Sequence, residues 1–267
     1  MRVSHLTRKN KKCTFEIAIP SYQRAETLRD KTLHLLERYK IHPKCITVFV
    51  ANNDELAKYK DILKPNTYGK LVVGFKGVME IRNFIVGYYA KGTKVVCIDD
   101  DIRDFIEYDA TEKRHEKPLK NLLKIIERGF SECEKNDATL WGVYPVANGF
   151  FMKPKVTTDL RFIVGSFFGF INQGLDKIRL TTGSKDDYER TILHYLLDGK
   201  VIRLNFVSPK TAYYKEPGGM QQEGRLEREE TAVKHLLKKY PELVHRAKSR
   251  STGFPEIRLA DKRASGL

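Results

Sequence analysis

Val95-Val96-Cys97-Ile98-Asp99-Asp100-Asp101 joins four apolar residues directly to three carboxylates. The apolar run reads as a buried strand of a sheet covered on both faces. Side chains alternate along an extended chain, so Asp99 and Asp101 are expected to face one way and Asp100 the other. Three like charges at the edge of a core are costly unless a cation or hydrogen-bond donors compensate them. Carboxylate oxygens suit a hard ion, Mg²⁺ or Mn²⁺, with Asp99 and Asp101 as the metal ligands. The competing reading is an acidic cap on a solvated turn.

Upstream of this run the pattern repeats. Phe15 to Ile19 is a β-prone stretch that stops at Pro20-Ser21, and Glu26 to Tyr39 follows with helical spacing. Ile46 to Ala51 is a second strand and Leu56 to Leu63 a short helix. Leu71 to Phe75 is a third strand, Val78 to Tyr89 a helix, and Lys94 to Ile98 the fourth strand. Strands alternating with helices indicate parallel βαβ units with right-handed crossovers. In such sheets ligands bind beyond the carboxyl ends of the strands, here Pro20 to Arg24, Ala51 to Asn53 and Asp99 to Asp101.

The second half is more aromatic. Leu119 to Glu134 predicts a helix, and Leu140 to Val146, Phe150 to Met152 and Phe162 to Ile171 predict mixed or antiparallel strands. Tyr188 to Leu197 is a helix stopped by Gly199, and Val201 to Val207 a strand. Glu229 to Tyr240 is an amphipathic helix ahead of Pro241. There is no internal repeat and no Gly/Ser linker. The expected organisation is a basic segment 1–12, a catalytic α/β domain 13–222 with halves 13–104 and 105–222, and a helical, basic extension 223–267.

The composition bounds the function. With 267 residues, 41% of them hydrophobic, the chain can bury a sizeable core. No stretch approaches the roughly 20 apolar residues of a membrane span. Met1 to Lys12 is polar and basic, without the apolar stretch of a secretory signal. The four cysteines (Cys13, Cys45, Cys97, Cys133) are far apart, so a reducing cytoplasm without disulfides or zinc is expected. A formal charge of +15 suits a polyanionic partner such as DNA or a phosphorylated co-substrate, or serves solubility alone.

Four stretches in order, Ile17-Ala18-Ile19-Pro20-Ser21-Tyr22-Gln23-Arg24, Val48-Phe49-Val50-Ala51-Asn52, Gly77-Val78-Met79-Glu80-Ile81-Arg82-Asn83 and Ile98-Asp99-Asp100-Asp101, resemble a GT-A glycosyltransferase. With Glu216-Pro217-Gly218-Gly219-Met220-Gln221 further on, the chain is most similar to the viral and eukaryotic group that glycosylates hydroxymethylpyrimidines in DNA, including base-J glucosyltransferases. The resemblance spans roughly residues 15 to 220. It implies a Rossmann-type, mainly parallel mixed sheet, a nucleotide-sugar donor (a UDP-sugar foremost), a divalent metal and a DNA acceptor.

Residue by residue, Pro20, Ser21, Tyr22, Arg24 and Asn52 are expected at the nucleotide, with Asp99, Asp100 and Asp101 beside the diphosphate. Lys76, Gly77, Arg82 and Asn83 surround a helix start whose amides favour anions. Arg82 suits a bidentate phosphate contact, or else a salt bridge to Glu80 or Asp104. Lys215, Gly218 and Gly219 suit a late loop over the diphosphate, or a plain surface turn.

Gly183-Ser184-Lys185-Asp186-Asp187-Tyr188-Glu189-Arg190 holds the second carboxylate pair. The resemblance implies a general base here, but the family has Glu-Asp where this chain has Asp186-Asp187. Asp187 is the expected base and Asp186 the acceptor-orienting group. Ser184 with Asp187 also reads as a capping box. Lys153, Lys155, Arg161, Arg246, Lys248 and Arg250 are candidates for DNA contact, with Arg246 to Arg263 as an extended arm. His194 and His235 read as structural.

Three other functions compete. A GT-A enzyme with a glycan or protein acceptor shares the donor chemistry, and an inactive GT-A domain could bind DNA. A nucleotidyltransferase would want a glycine-rich turn after the first strand, which Pro20 to Arg24 lacks.

Overall fold

The computed structural model describes residues 13–211, 224–248 and 253–263. The first half contains β1 (Glu16–Pro20), α1 (Ala25–Leu28), a π-helical turn (Arg29–Leu33) and α2 (His34–Arg38). It continues through β2 (Ile46–Val50), α3 (Asn53–Ile62), β3 (Lys70–Val73), α4 (Val78–Tyr88) and β4 (Lys94–Ile98). Then come β5 (Asp104–Tyr108), β6 (Glu116–Pro118), α5 (Leu122–Lys135), β7 (Leu140–Val143), β8 (Val156–Thr157) and β9 (Phe167–Ile171). The chain ends with α6 (Leu175–Ile178), α7 (Asp186–Asp198), β10 (Ile202–Leu204), β11 (Val207–Lys210), α8 (Arg225–Lys239), β12 (Val244–Ala247) and β13 (Glu256–Leu259).

Eight strands form one sheet in the order β3-β2-β1-β4-β9-β7-β10-β8. β3, β2, β1 and β4 are parallel, as the βαβ reading expects. β9 inserts antiparallel between β4 and β7, and β7 and β10 are again parallel. Alternate residues explain the two covered faces. Ile17, Ile19, Val48, Val50, Val96 and Ile98 join one core with α3 and α5, while Ala18, Phe49, Val95 and Cys97 join another with Ile81 and Ile85 of α4. The sheet order reverses between β1 and β4, the place where such folds open a crevice.

Trp141 sets the centre of the mixed half. It is fully buried on β7, edge-on to Phe130 and Phe167. The indole fits only because Gly129 of α5 and Gly169 of β9 lack side chains; a Cβ at either would overlap it.

Several sequence expectations are corrected. Cys13 and Cys45 form a disulfide, with Cα atoms 5.7 Å apart. They precede β1 and β2, and parallel pairing in register Ile17 to Ile46 brings the two strand starts together. Their 32-residue separation is the length of one βαβ crossover, which linear spacing disguised. The argument for a reducing cytoplasm falls with it; Cys97 and Cys133 are free and buried. No helix of the described residues is long and apolar enough to cross a membrane.

Phe150 to Met152 is a turn, not a strand. Asn148 accepts the Phe150 N–H on its side chain and the Phe151 N–H on its carbonyl, so local turn chemistry outweighs β-propensity. Val201 to Val207 divides into β10 and β11, which belong to different sheets. The tail Arg246 to Arg263 is not an extended arm, because β12 and β13 pair as a hairpin. Val244 and Ile257 turn inward against Val233 and Leu236 of α8, and that burial holds it.

Gly129→Ala tests the Trp141 packing by its sign. On an open helix face the change stabilises by about 1 kcal/mol. Here it should destabilise by about 1–3 kcal/mol through overpacking. Urea unfolding reads the difference, and an unchanged or raised midpoint contradicts the packing.

Candidate active site

A cleft of about 1620 Å³ opens beyond the carboxyl ends of β1, β2, β3 and β4. One wall contains Pro20, Ser21, Tyr22, Arg24, Lys76 and Gly77, and Arg82 and Asp99 to Asp101 also line the cleft. Asp186 and Asp187 enter from the opposite side on the first turn of α7. The chain also reaches the cleft at Arg225 to Ala232, on α8.

The Asp triplet is held by donors rather than by strand alternation. β4 ends at Ile98, and the chain turns at once. The Asp99 N–H donates to the Ser166 carbonyl at 3.0 Å, and the buried Thr32 hydroxyl donates to the Asp99 carbonyl at 2.7 Å. Thr32 stands on the π-helical turn, a widening often found at functional sites. Asp99 Oδ1 takes Arg82 Nη2 at 2.9 Å. Asp100 accepts from Ser21 Oγ at 2.6 Å and lies 3.3 Å from Arg24 Nη1, which is also 3.6 Å from Asp101. The triplet therefore divides as Asp99 with Arg82, and Asp100 and Asp101 with Arg24. Sequence alternation paired Asp99 with Asp101; the turn after Ile98 removes that basis.

Burial pushes the Asp100 carboxyl up to about 7, against the pull of Ser21 and Arg24. Burial also raises Asp99, opposed by Arg82 and helped by the neighbouring charge of Asp101. Asp99 keeps 36% of its side chain open to the cleft, and Asp101 17%. Among the described residues no three His, Cys, Asp or Glu side chains converge as a finished metal cage. A diphosphate-bridged Mg²⁺ or Mn²⁺ needs only one or two carboxylates, with phosphate and water completing its shell, so Asp99 and Asp101 fit as donors.

Arg82 joins the two acidic groups. Its guanidinium is 2.9 Å from Asp99 and 3.9 Å from Asp186, and it donates to the Gly165 carbonyl at 3.2 Å. Burial opposes its charge, but Asp99, Cys97 and Asp186 outweigh burial and hold it above its ordinary range. Neither Glu80 nor Asp104 is its partner; Arg38 pairs with Asp104. Arg190, given no role of its own in the sequence reading, lies 3.6 Å from Asp186 and 3.6 Å above the Phe168 ring.

Asp187 faces the cleft beside Gly165, with Oδ1 accepting the Tyr188 N–H at 3.0 Å. Burial first, and the charge of Asp186 second, push its carboxyl up to about 7. The capping box with Ser184 does not form. The N-cap is Lys185, in the left-handed region at φ 58°, with no side-chain cap. Lys185 is anchored instead to buried Glu229 of α8 at 3.1 Å.

At the start of α4, Gly77 has φ 110° and leaves the first turn facing the cleft, with Lys76 Nζ 5.4 Å over the Tyr22 ring. Other candidates lie elsewhere. Asn52 caps α3 through the Glu55 N–H, and Asn83 exchanges two hydrogen bonds with the Leu180 backbone. Both amides meet local backbone needs, and neither lines the cleft. Lys153, Lys155 and Arg161 are exposed outside it, Arg161 pairing with Asp159. Arg246 pairs with Glu230 and Lys248 is exposed. Lys215, Gly218, Gly219 and Arg250 lie outside the described residues. His194 is structural, its pKa depressed to about 3 by burial and its Nδ1 bonded to Thr139. His235 bonds to the Thr181 hydroxyl.

No family model matches the chain, and no curated protein is similar to it in sequence. Solved structures are similar in fold. A mannosyltransferase, PcManGT, from Pyrobaculum calidifontis, in complex with GDP-Man and Mn²⁺, superimposes with a TM-score of 0.50 at 12% identity. The match covers 90% of this chain and 67% of that one. TarS from S. aureus matches with a TM-score of 0.50 at 15% identity, over 84% of this chain and 39% of its own. This chain thus spans about two fifths of the length of TarS. The fold is that of the GT-A glycosyltransferases.

Proposed function

We propose that this chain moves a sugar from a nucleotide-sugar donor, UDP-linked in our reading, to the hydroxyl of a hydroxymethylated pyrimidine in DNA, with Mn²⁺ or Mg²⁺ as cofactor. One observation carries the reading: Asp99 to Asp101 and Asp186-Asp187 meet across Arg82 in a single cleft of a GT-A fold. The mannosyltransferase of similar fold binds GDP-Man and Mn²⁺, and we carry that donor chemistry to this cleft. Asp99 and Asp101 would hold the ion, which supplies positive charge to the departing diphosphate.

The chain's own groups do the rest. The α4 amides and Lys76 receive the diphosphate, where a helix N-terminus favours anions. Asp187 takes the proton from the acceptor hydroxyl. The acceptor oxygen bonds to the anomeric carbon as the bond to the diphosphate breaks, and the leaving group keeps the electron pair. Asp186, between Arg82 and Arg190, fixes the start of α7 and orients the acceptor. Arg103, Arg114 and Lys210 at the cleft wall, with the net charge of +15, suit a phosphate backbone.

Asp101→Ala should remove the Mn²⁺-dependent part of UDP binding while leaving the fold intact. Calorimetric titration of UDP with and without Mn²⁺ measures it. Equal Mn²⁺ enhancement in the variant would refute Asp101 as a ligand.

Asp187→Asn should leave UDP affinity nearly unchanged and lower turnover on the order of 100-fold or more. Wild-type turnover should rise with pH through about 7, since the base works deprotonated. Stability runs the other way. A carboxyl raised in the folded state stabilises at low pH, and that contribution is lost as pH rises towards 7. At pH 8 the Asn variant should therefore melt no lower than wild type. A lower melting temperature with unchanged turnover would make Asp187 a helix cap.

A further inference from the structure

Beyond the carboxylates, a structured aromatic edge stands next to residues of the cleft wall. The hairpin of β5 and β6 closes with His115 at φ 54°, its ring stacked on Tyr108 at 6.2 Å. The loop after β7 folds onto this hairpin. The Gly149 N–H donates to Glu116 Oε2 at 2.9 Å, and Gly149 sits so tightly against the Arg114 and His115 carbonyls that a Cβ would overlap them. Arg114, Glu116 and Pro145 to Ala147, which make these contacts or flank them, all line the cleft.

This packing pushes two rings outward. Phe150 is 57% and Phe151 58% exposed, although Phe150 meets the His115 ring edge at 5.2 Å. Buried Met152 and the Asn148 turn hold the loop, so its shape keeps both rings in water. Exposed cations lie close by: Lys153 and Lys155 follow the rings in the chain, and Arg114, whose carbonyl packs against Gly149, stands 3.7 Å from Glu116. Aromatic faces set among cations bind single-stranded nucleic acid, the rings stacking on bases and the cations following phosphates. A carboxylate at the floor of a cleft cannot reach a base edge inside a duplex; enzymes acting at such depth draw the base out of the stack.

We propose that Phe150 and Phe151 form a base-stacking subsite beside the cleft, which holds unpaired bases of the acceptor strand. This rests on DNA being the acceptor, and it makes the preferred substrate single-stranded or locally opened DNA. An uncharged glycan offers no phosphate to Lys153 and Lys155.

The full chain, its F150A/F151A variant and an F150W/F151W variant are compared by fluorescence anisotropy on a labelled single strand and the matching duplex. UDP affinity with Mn²⁺ is measured in parallel. Wild type should bind the single strand more tightly than the duplex. F150A/F151A should weaken single-strand binding on the order of 10-fold or more, tryptophan should restore it, and UDP affinity should stay fixed. If wild type and F150A/F151A bind DNA equally, the subsite is overturned and the DNA acceptor stands. If wild type binds neither DNA, the DNA reading fails, and the subsite with it. If the alanine pair loses binding only to vesicles containing anionic lipid, the rings are a membrane contact and the subsite is overturned.

Discussion

The Arg82 guanidinium lies between Asp99, at the end of the fourth strand, and Asp186, at the start of a helix more than 80 residues later. Two carboxylates that share one guanidinium repel each other, and their pKa values rise without a cation between them. Arg82 supplies that cation from the first turns of α4, and its third contact, to the Gly165 carbonyl, fixes the approach to β9. The end of β4 and the start of α7, on two sides of the cleft, are thereby joined through one side chain. Removing one member of a buried ion pair costs about 3–5 kcal/mol, because the partner is left uncompensated. In this molecule the loss would fall on Asp99 and Asp186.

Around this link the carboxylates separate by environment. Asp100 is buried among Ser21, Arg24 and Tyr59, a network that orders the turn after β1. Asp99 and Asp101 keep open surface towards the cleft. Asp187 is raised to about 7 by burial and by Asp186, against the pull of Arg190 and Lys185, a value that suits the proton transfer proposed for it. Similar residues one or two positions apart thus acquire different roles from burial and partner charge.

Much of this was legible in the sequence. The alternation of apolar runs with helical spacing carried the parallel strands β1 to β4, because both faces of β1, β2 and β4 are buried and the edge strand β3 is half-buried. The Asp triplet announced itself by following the fourth of them. What the sequence concealed depended on contacts between distant segments. Cys13 and Cys45 meet only because β1 and β2 pair in register. Thr32 reads as an ordinary helix residue, and Arg190 as the end of the second acidic motif without a role, until the Asp99 carbonyl and Phe168 are brought to them. Asn52 and Asn83 looked like donor contacts, but backbone groups nearby claimed their amides first. Glu229, from a helix expected to lie outside the catalytic domain, reaches Lys185 because the Leu236 and Val233 face of α8 packs beside α7.

The most direct measurement is mass spectrometry of nucleosides released from hydroxymethylated single-stranded DNA. The DNA is first incubated with the chain, Mn²⁺ and a panel of UDP- and GDP-sugars. A hydroxymethylpyrimidine heavier by one sugar residue is expected, formed with one nucleoside diphosphate per transfer and lost in EDTA. Unmodified nucleosides with no nucleoside diphosphate released from any donor would contradict a metal-dependent glycosyltransferase acting on DNA.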